Sequence, residues 1–252
     1  MRRIVASPRG SGIVAAMKPV WRIALAASLL FAACGSGEEP TATLPPETGP
    51  VLAASADAMA AVEYVHFNIE WAGGAPIAIP DFNADFVDAE GYFATPGAAN
   101  GVATLAVGNA RAQLGVISIG GDTWLTEPIS GAWMEAPSGF NIDLAVLFDD
   151  EDGWGPLISD GLSDVGWIGL EERDTEDRYH LRAIADADRV TTILAGLIPR
   201  QEVEIDLWLD TVTGHIREAE LSTVFQGQTS DWLIEFTEYG VPVEITPPNI
   251  EG

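Results

Sequence analysis

The sequence is poor in the side chains that carry much enzyme chemistry and electrostatic adhesion, with one cysteine, three histidines and one lysine in 252 residues. A lone cysteine, Cys34, excludes an internal disulfide. His66, His180 and His215 lie far apart in strand-like runs, which argues against a zinc site and for outward-facing or hydrogen-bonded core positions. Lysine ends at Lys18, and from Cys34 onward seven arginines stand against all 38 acidic residues, a net charge of −31. Such a surface repels phosphate backbones and gains nothing by counterion release, which excludes nucleic acid as a partner. It is also poorly suited to electrostatic docking on anionic lipid. The charge serves solubility or, alternatively, presents an acidic face to a cationic partner.

Catalytic motifs are missing as well. There is no Gly-rich phosphate loop. Val116-Ile117-Ser118-Ile119-Gly120 lacks the first glycine of a nucleophile elbow and sits in a strand pattern. The run Asp149-Asp150-Glu151-Asp152-Gly153 has Phe148 where a calcium loop needs an oxygen ligand and Ser159 where it needs Glu, so it reads as a solvated turn. Nothing singles out an acid–base pair among the carboxylates. No catalytic residue, metal or cofactor is expected.

What is present begins with an address. After Met17, an alternative start, Lys18 and Arg22 form a positive region ahead of the apolar run Ile23 to Ala33. That run is too short to cross about 30 Å of hydrocarbon as a helix, so residues 1–33 read as a signal peptide. Phe31-Ala32-Ala33-Cys34 resembles a bacterial lipobox, with Phe in place of the usual Leu. Its small residues give a signal peptidase access to the backbone, and the thiol accepts a diacylglycerol. Cys34 is therefore the expected lipidation site, tethering an exported chain to the cell membrane on its extracytoplasmic face. Residues 34–50 continue with the Gly/Pro/Thr/Glu composition of a disordered spacer.

Residues 51–248 read as a single domain, followed by a tail at 249–252. Val51 to Tyr64 has helical spacing. Strand-like alternation follows at Val65 to Trp71, Ala84 to Ala94, Gly101 to Val107, Ala110 to Ile119, Thr123 to Thr126 and Ala132 to Glu135, with turn signals between. Six consecutive strands predict an antiparallel meander. Phe140 to Phe148 and Gly155 to Leu162 read as two short helices, or a helix and a loop. Strands are expected at Val165 to Glu171 and Asp177 to Ala185, then a helix capped by Asp186 or Asp188 and ended by Pro199. Strands Glu202 to Leu209, His215 to Ser222 and Asp231 to Tyr239 close the domain, the first two joined by the turn Asp210-Thr211-Val212-Thr213-Gly214. About eleven strands with grouped helices predict an α+β fold, a large curled antiparallel sheet over a few helices.

Four phrases carry a family resemblance: AMAAVEYVHFNIE, GDTWLTEPISGAWMEAP, EIDLWLDTVTGHIREAELS and WLIEFTEYGVPVEITPP. With the lipobox and spacer, they make most of Val51 to Pro248 resemble the LppX/LprG-type lipoproteins of the wider LolA/LolB-like group. The resemblance implies a half-barrel of antiparallel strands wrapped over helices, enclosing an apolar cavity for the acyl chains of a lipid or glycolipid. The chain departs from better-known members in its acidity and in lacking lysine beyond the anchor, which argues against anionic headgroups. The expected cavity residues are Phe67, Ile69 and Trp124 from the sheet, with Leu144, Leu147, Phe148, Leu157, Ile158, Ile193, Leu194 and Leu197 from the helices. Two other functions remain open: a ligand-free structural lipoprotein contacting an envelope protein, and a secreted hydrolase. A pocket of several hundred Å³ lined by apolar atoms would favour the carrier. A packed interior would favour the structural role, and a polar cleft with convergent carboxylates the hydrolase.

Overall fold

The computed structural model describes residues 46–79, 82–127, 130–137, 140, 143–225 and 227–250. The expected signal peptide, Cys34 and most of the expected spacer lie outside the described residues. Helix α1, Thr48–Ala60, is followed by strands β1 Tyr64–Gly74, β2 Ile77–Ile79, β3 Ala84–Ala94, β4 Ala98–Val107, β5 Ala110–Ile119, β6 Asp122–Thr126 and β7 Trp133–Glu135. A 3-10 segment at Leu144–Phe148 and helix α2, Trp154–Asp160, lead to β8 Leu162–Arg173 and β9 Glu176–Ala185. Helix α3, Ala187–Ile193, precedes β10 Val203–Asp210, β11 Ile216–Phe225 and β12 Gln228–Thr237.

All strand pairs are antiparallel, in the order β7-β6-β5-β4-β3-β1-β12-β11-β10-β9-β8, with β2 alongside β3. Two meanders thus meet at β1 and β12, where Phe67 pairs with Phe236, Ile69 with Ile234 and Trp71 with Trp232. Successive strand side chains point to opposite faces, so the alternation that places Val65, Phe67 and Ile69 inward leaves His66, Asn68 and Glu70 outward. The sheet is open, ending at β7 and β8, and one continuous core joins its inner face to all three helices.

An aromatic cluster sits within that core. Phe148 lies 4.8 Å from Phe93 and 5.5 Å from Phe236, and Trp154 lies 5.3 Å from Phe236, the last two contacts edge-on. Such pairs contribute about 0.5–1.5 kcal/mol each beyond burial, and here they bind the 3-10 segment and α2 to the middle of the sheet. Beside them α1 packs on α2 and on the β10–β11 hairpin, where Met59 is buried and Gly214 approaches Ala54 and Ser55 closely.

Several boundaries differ from the sequence reading. Helix α1 starts inside the expected spacer and stops at Ala60, because Tyr64 is already paired with Ala94 in the sheet. Asp186, not Asp188, caps α3, its carboxylate accepting from the Asp188 and Arg189 amides at 2.9 and 3.3 Å. That helix ends well before Pro199, since Ala195 and Gly196 turn left-handed (φ 49° and 74°) and their amides bond back to Thr192 and Thr191. Strand β2 was not expected; three residues are too few to establish a period.

Candidate functional site

The inner face of β1–β5 has a floor of small residues. One row across the strands reads Ile69, Ala89, Ala103, Leu114, and the next reads Phe67, Gly91, Gly101, Val116, Leu125. A bulge between Phe86 and Asp88 resets the alternation of β3, so Phe86 and Ala89 both point inward. Gly91 and Gly101 face each other across a close crossing of β3 and β4, where a Cβ on Gly91 would lie 2.0 Å from the Asn100 carbonyl oxygen. Only glycine tolerates that approach.

Over this floor lie two short covers. The 3-10 segment places Leu144 above Gly101, its methyl 3.1 Å from where a Cβ would stand. Its start is fixed by Asp143, whose carboxylate accepts from the Ala145 amide at 2.9 Å, and by buried Ser118, whose Oγ accepts from the Leu144 amide at 3.3 Å. The left-handed turn after α3 brings Leu194 and Leu197 to the other side. Together they enclose a cleft whose lining is entirely carbon, with Phe82, Phe86 and Leu105 completing the wall. Its open volume is about 40 Å³, well below the roughly 300–1,000 Å³ of small-molecule pockets. The cleft is therefore closed, not the several-hundred-Å³ cavity that would have favoured the carrier outright.

Of the residues expected from the sequence, Ile69, Leu144, Leu194 and Leu197 line this cleft. Phe67, Leu147, Leu157, Ile158 and Ile193 are buried in the packed core, and Phe148 is spent in the aromatic cluster. Trp124 lies on the opposite face of β6 from buried Leu125, paired with Ile117 and Glu135, away from the cleft. The small floor residues Ala89, Gly101 and Ala103 were missed. Strand parity marks them once the register of β3 and β4 is known, but alanine and glycine carry no hydropathy signal of their own.

The acidic outer face of β8–β11 is a polar lattice. His180 sits between Glu171 (2.8 Å) and Asp206 (2.7 Å), stacked on Trp208 at 4.2 Å. Arg182 bonds Asp206 through two nitrogens at 3.0 Å, and Trp208 donates to Glu171 at 2.9 Å. Hydrogen bonds from Trp208 and His180 hold the Glu171 carboxyl below its ordinary range. Burial pushes Glu218 up, although Arg173 and Arg178 both contact it. Most of the convergent groups pair with one another across neighbouring strands, although the buried Arg178 Nε has no hydrogen-bond partner among the described residues. Among the described residues no group of His, Cys, Asp and Glu is placed to hold a metal ion. At Asp149–Gly153 the Asp149 carboxylate accepts from the Glu151 and Asp152 amides, closing a turn.

The described residues form an open twelve-stranded sheet with three helices on its inner face and an all-carbon cleft under the 3-10 segment and the turn after α3, and the LppX_LprAFG lipoprotein model matches residues 47–245. The chain belongs to the LppX_LprAFG lipoprotein family. LprF from Mycobacterium bovis superposes with a TM-score of 0.60 at 16% identity, covering 82% of this chain and 99% of that one. The Mycobacterium tuberculosis lipoprotein LppX gives 0.56 at 15% identity, covering 79% and 100%. At such identities the likeness is one of fold. No curated protein sequence matches the chain.

Proposed function

We propose that this chain is an envelope lipoprotein, anchored through Cys34, that takes lipid acyl chains into the cleft between β1–β5 and their two covers and carries them within the cell envelope. Residues 1–33 act as the export signal, and the residues after Cys34 space the domain from the membrane. The observation that carries the reading is the cleft's composition: a floor of alanine and glycine under walls of leucine, isoleucine and phenylalanine, with no polar atom in the lining. Acyl chains need volume and carbon walls rather than specific donors, and burial contributes about 0.8 kcal/mol per methylene. The covers are a five-residue 3-10 segment and a loop turn, elements short enough to move apart without breaking the sheet. The reading requires no covalent step.

The closed volume is what a ligand-free assembly lipoprotein would also show, so that reading stands second. Native mass spectrometry with organic extraction decides between them. The Cys34→Ser chain, which keeps every other residue but cannot take the anchor, is purified from a lipid-containing host. Lipid released only on unfolding is the expected result. A clean apo mass, together with no binding of a fluorescent fatty-acid analogue, would move the assignment to the assembly role.

A further inference from the structure

The outer face of the same strands carries a second concavity that the acyl reading leaves unused. It is a groove of about 430 Å³ over β1, β3, β4, β5 and β7, lying across the sheet from the cleft. Its floor is Val102, Asn100 and Ile117, with an opening where outward-facing Gly115 has no side chain. The Trp133 ring folds over that gap, its edge 3.0 Å from where a Gly115 Cβ would lie, and forms one wall. Opposite stand Glu90, Tyr92 and His66, the last two with ring centres 4.7 Å apart. The Tyr92 hydroxyl donates to Glu238 at 3.2 Å, which makes its ring richer in electrons, and His66 is fixed by Thr237 at 3.1 Å.

Glu90 is exposed and has no salt bridge or hydrogen-bond partner among the described residues, although every arginine of the β8–β11 face is paired. No basic side chain other than His66 lines the groove. Aromatic rings, a free carboxylate and an exposed valine floor define one ligand chemistry. The carboxylate and ring faces attract positive charge, the valine and isoleucine accept alkyl groups, and the acidic surface steers cations inward. An anion would meet the Glu90 carboxylate and no arginine or lysine. We propose that this groove binds a free organic ammonium ion, quaternary or alkylated. The inference is independent of what fills the inner cleft.

The test is calorimetric titration of the full-length Cys34→Ser chain with choline chloride at constant ionic strength, in parallel with choline's neutral isostere in which carbon replaces the ammonium nitrogen. Saturable choline binding is expected, with the isostere weaker by about tenfold. Glu90→Gln and Trp133→Ala should each weaken choline by about tenfold, and Leu170→Ala, exposed on distant β8, should leave it unchanged. Glu90→Gln alters one exposed charge and is not expected to disturb folding, so its result counts even where Trp133→Ala fails to fold. Equal binding of the isostere overturns the proposal. So does the absence of choline binding, a preference for the neutral disaccharide maltose, unchanged affinity in Glu90→Gln, or binding seen only on phosphatidylcholine vesicles.

Discussion

Ala103 is the position at which the acyl reading is most exposed to test. It faces inward between Ala89 and Leu114, on the cleft floor. Ala103→Leu adds three carbons at the centre of that floor, in a space of about 40 Å³ that the covers must widen for any lipid to enter. The new side chain takes the place of about three ligand methylenes at about 0.8 kcal/mol each. The loss of about 2.4 kcal/mol corresponds to roughly fiftyfold weaker binding at 1.4 kcal/mol per decade. The assay is displacement of a fluorescent long-chain fatty acid, with the thermal midpoint recorded for each variant. Ala103→Leu should melt within a few degrees of the parent, because the two short covers can part to admit the added carbons. Trp124→Ala, on the other face of the sheet, should bind like the parent. Unchanged affinity in a folded Ala103→Leu chain would show that acyl chains do not lie between the sheet and its covers.

Asp186→Ala removes the carboxylate that caps α3 and should cost about 1 kcal/mol in urea unfolding; a loss near zero would show that the helix is held by Val190 and Ile193 alone. Gly91→Ala places a methyl group against the Asn100 carbonyl and should cost about 3 kcal/mol or prevent folding, read by circular dichroism and soluble yield. His215 is stacked on Tyr239 at 4.1 Å. Burial, and then the charge of Arg217, hold its pKa below the ordinary 6.5, only partly offset by Asp210. A histidine neutral in the fold but protonated when unfolded makes stability fall as pH drops through about 6.5 toward the folded value, and adds nothing above it. The stability difference between the parent and His215→Gln, followed by urea midpoints from pH 8 to 5, should shrink across that window; a constant difference would refute the coupling.

Much of the architecture is legible in the sequence because it is written in period two. Ala84–Ala94 and Ala110–Ile119 emerge with their observed ends, and the turn at Asp210 follows from its side chain, which accepts from Val212 and Thr213. Other features escape because they depend on partners distant in the chain. The end of α1 is set by Tyr64 pairing with Ala94, and the end of α3 by a left-handed turn that its helical-looking continuation, Leu194 to Ile198, conceals. The site is legible only in part, for a related reason. Apolar helix residues announce burial but not whether they line space or fill it, so Leu157 and Ile193 look no different from Leu144 and Leu194. The floor is a property of register, made by the side chains that Ala89, Gly101 and Ala103 lack.

The seam between β1 and β12 has a consequence for biogenesis. Phe67 and Phe236 are partners across the middle of the sheet, yet nearly the whole domain separates them in the chain. Pairings of such long range are slow to form, since their loop-closure entropy must be met before any contact offsets it. Each meander can zip up hairpin by hairpin as it emerges, but the first retains a bare strand edge at β1 until the last strand arrives. Until then the half-made sheet has its central edge open, the stage at which unwanted strand addition is favoured. The sheet thus stays unfinished until the chain's own far end arrives.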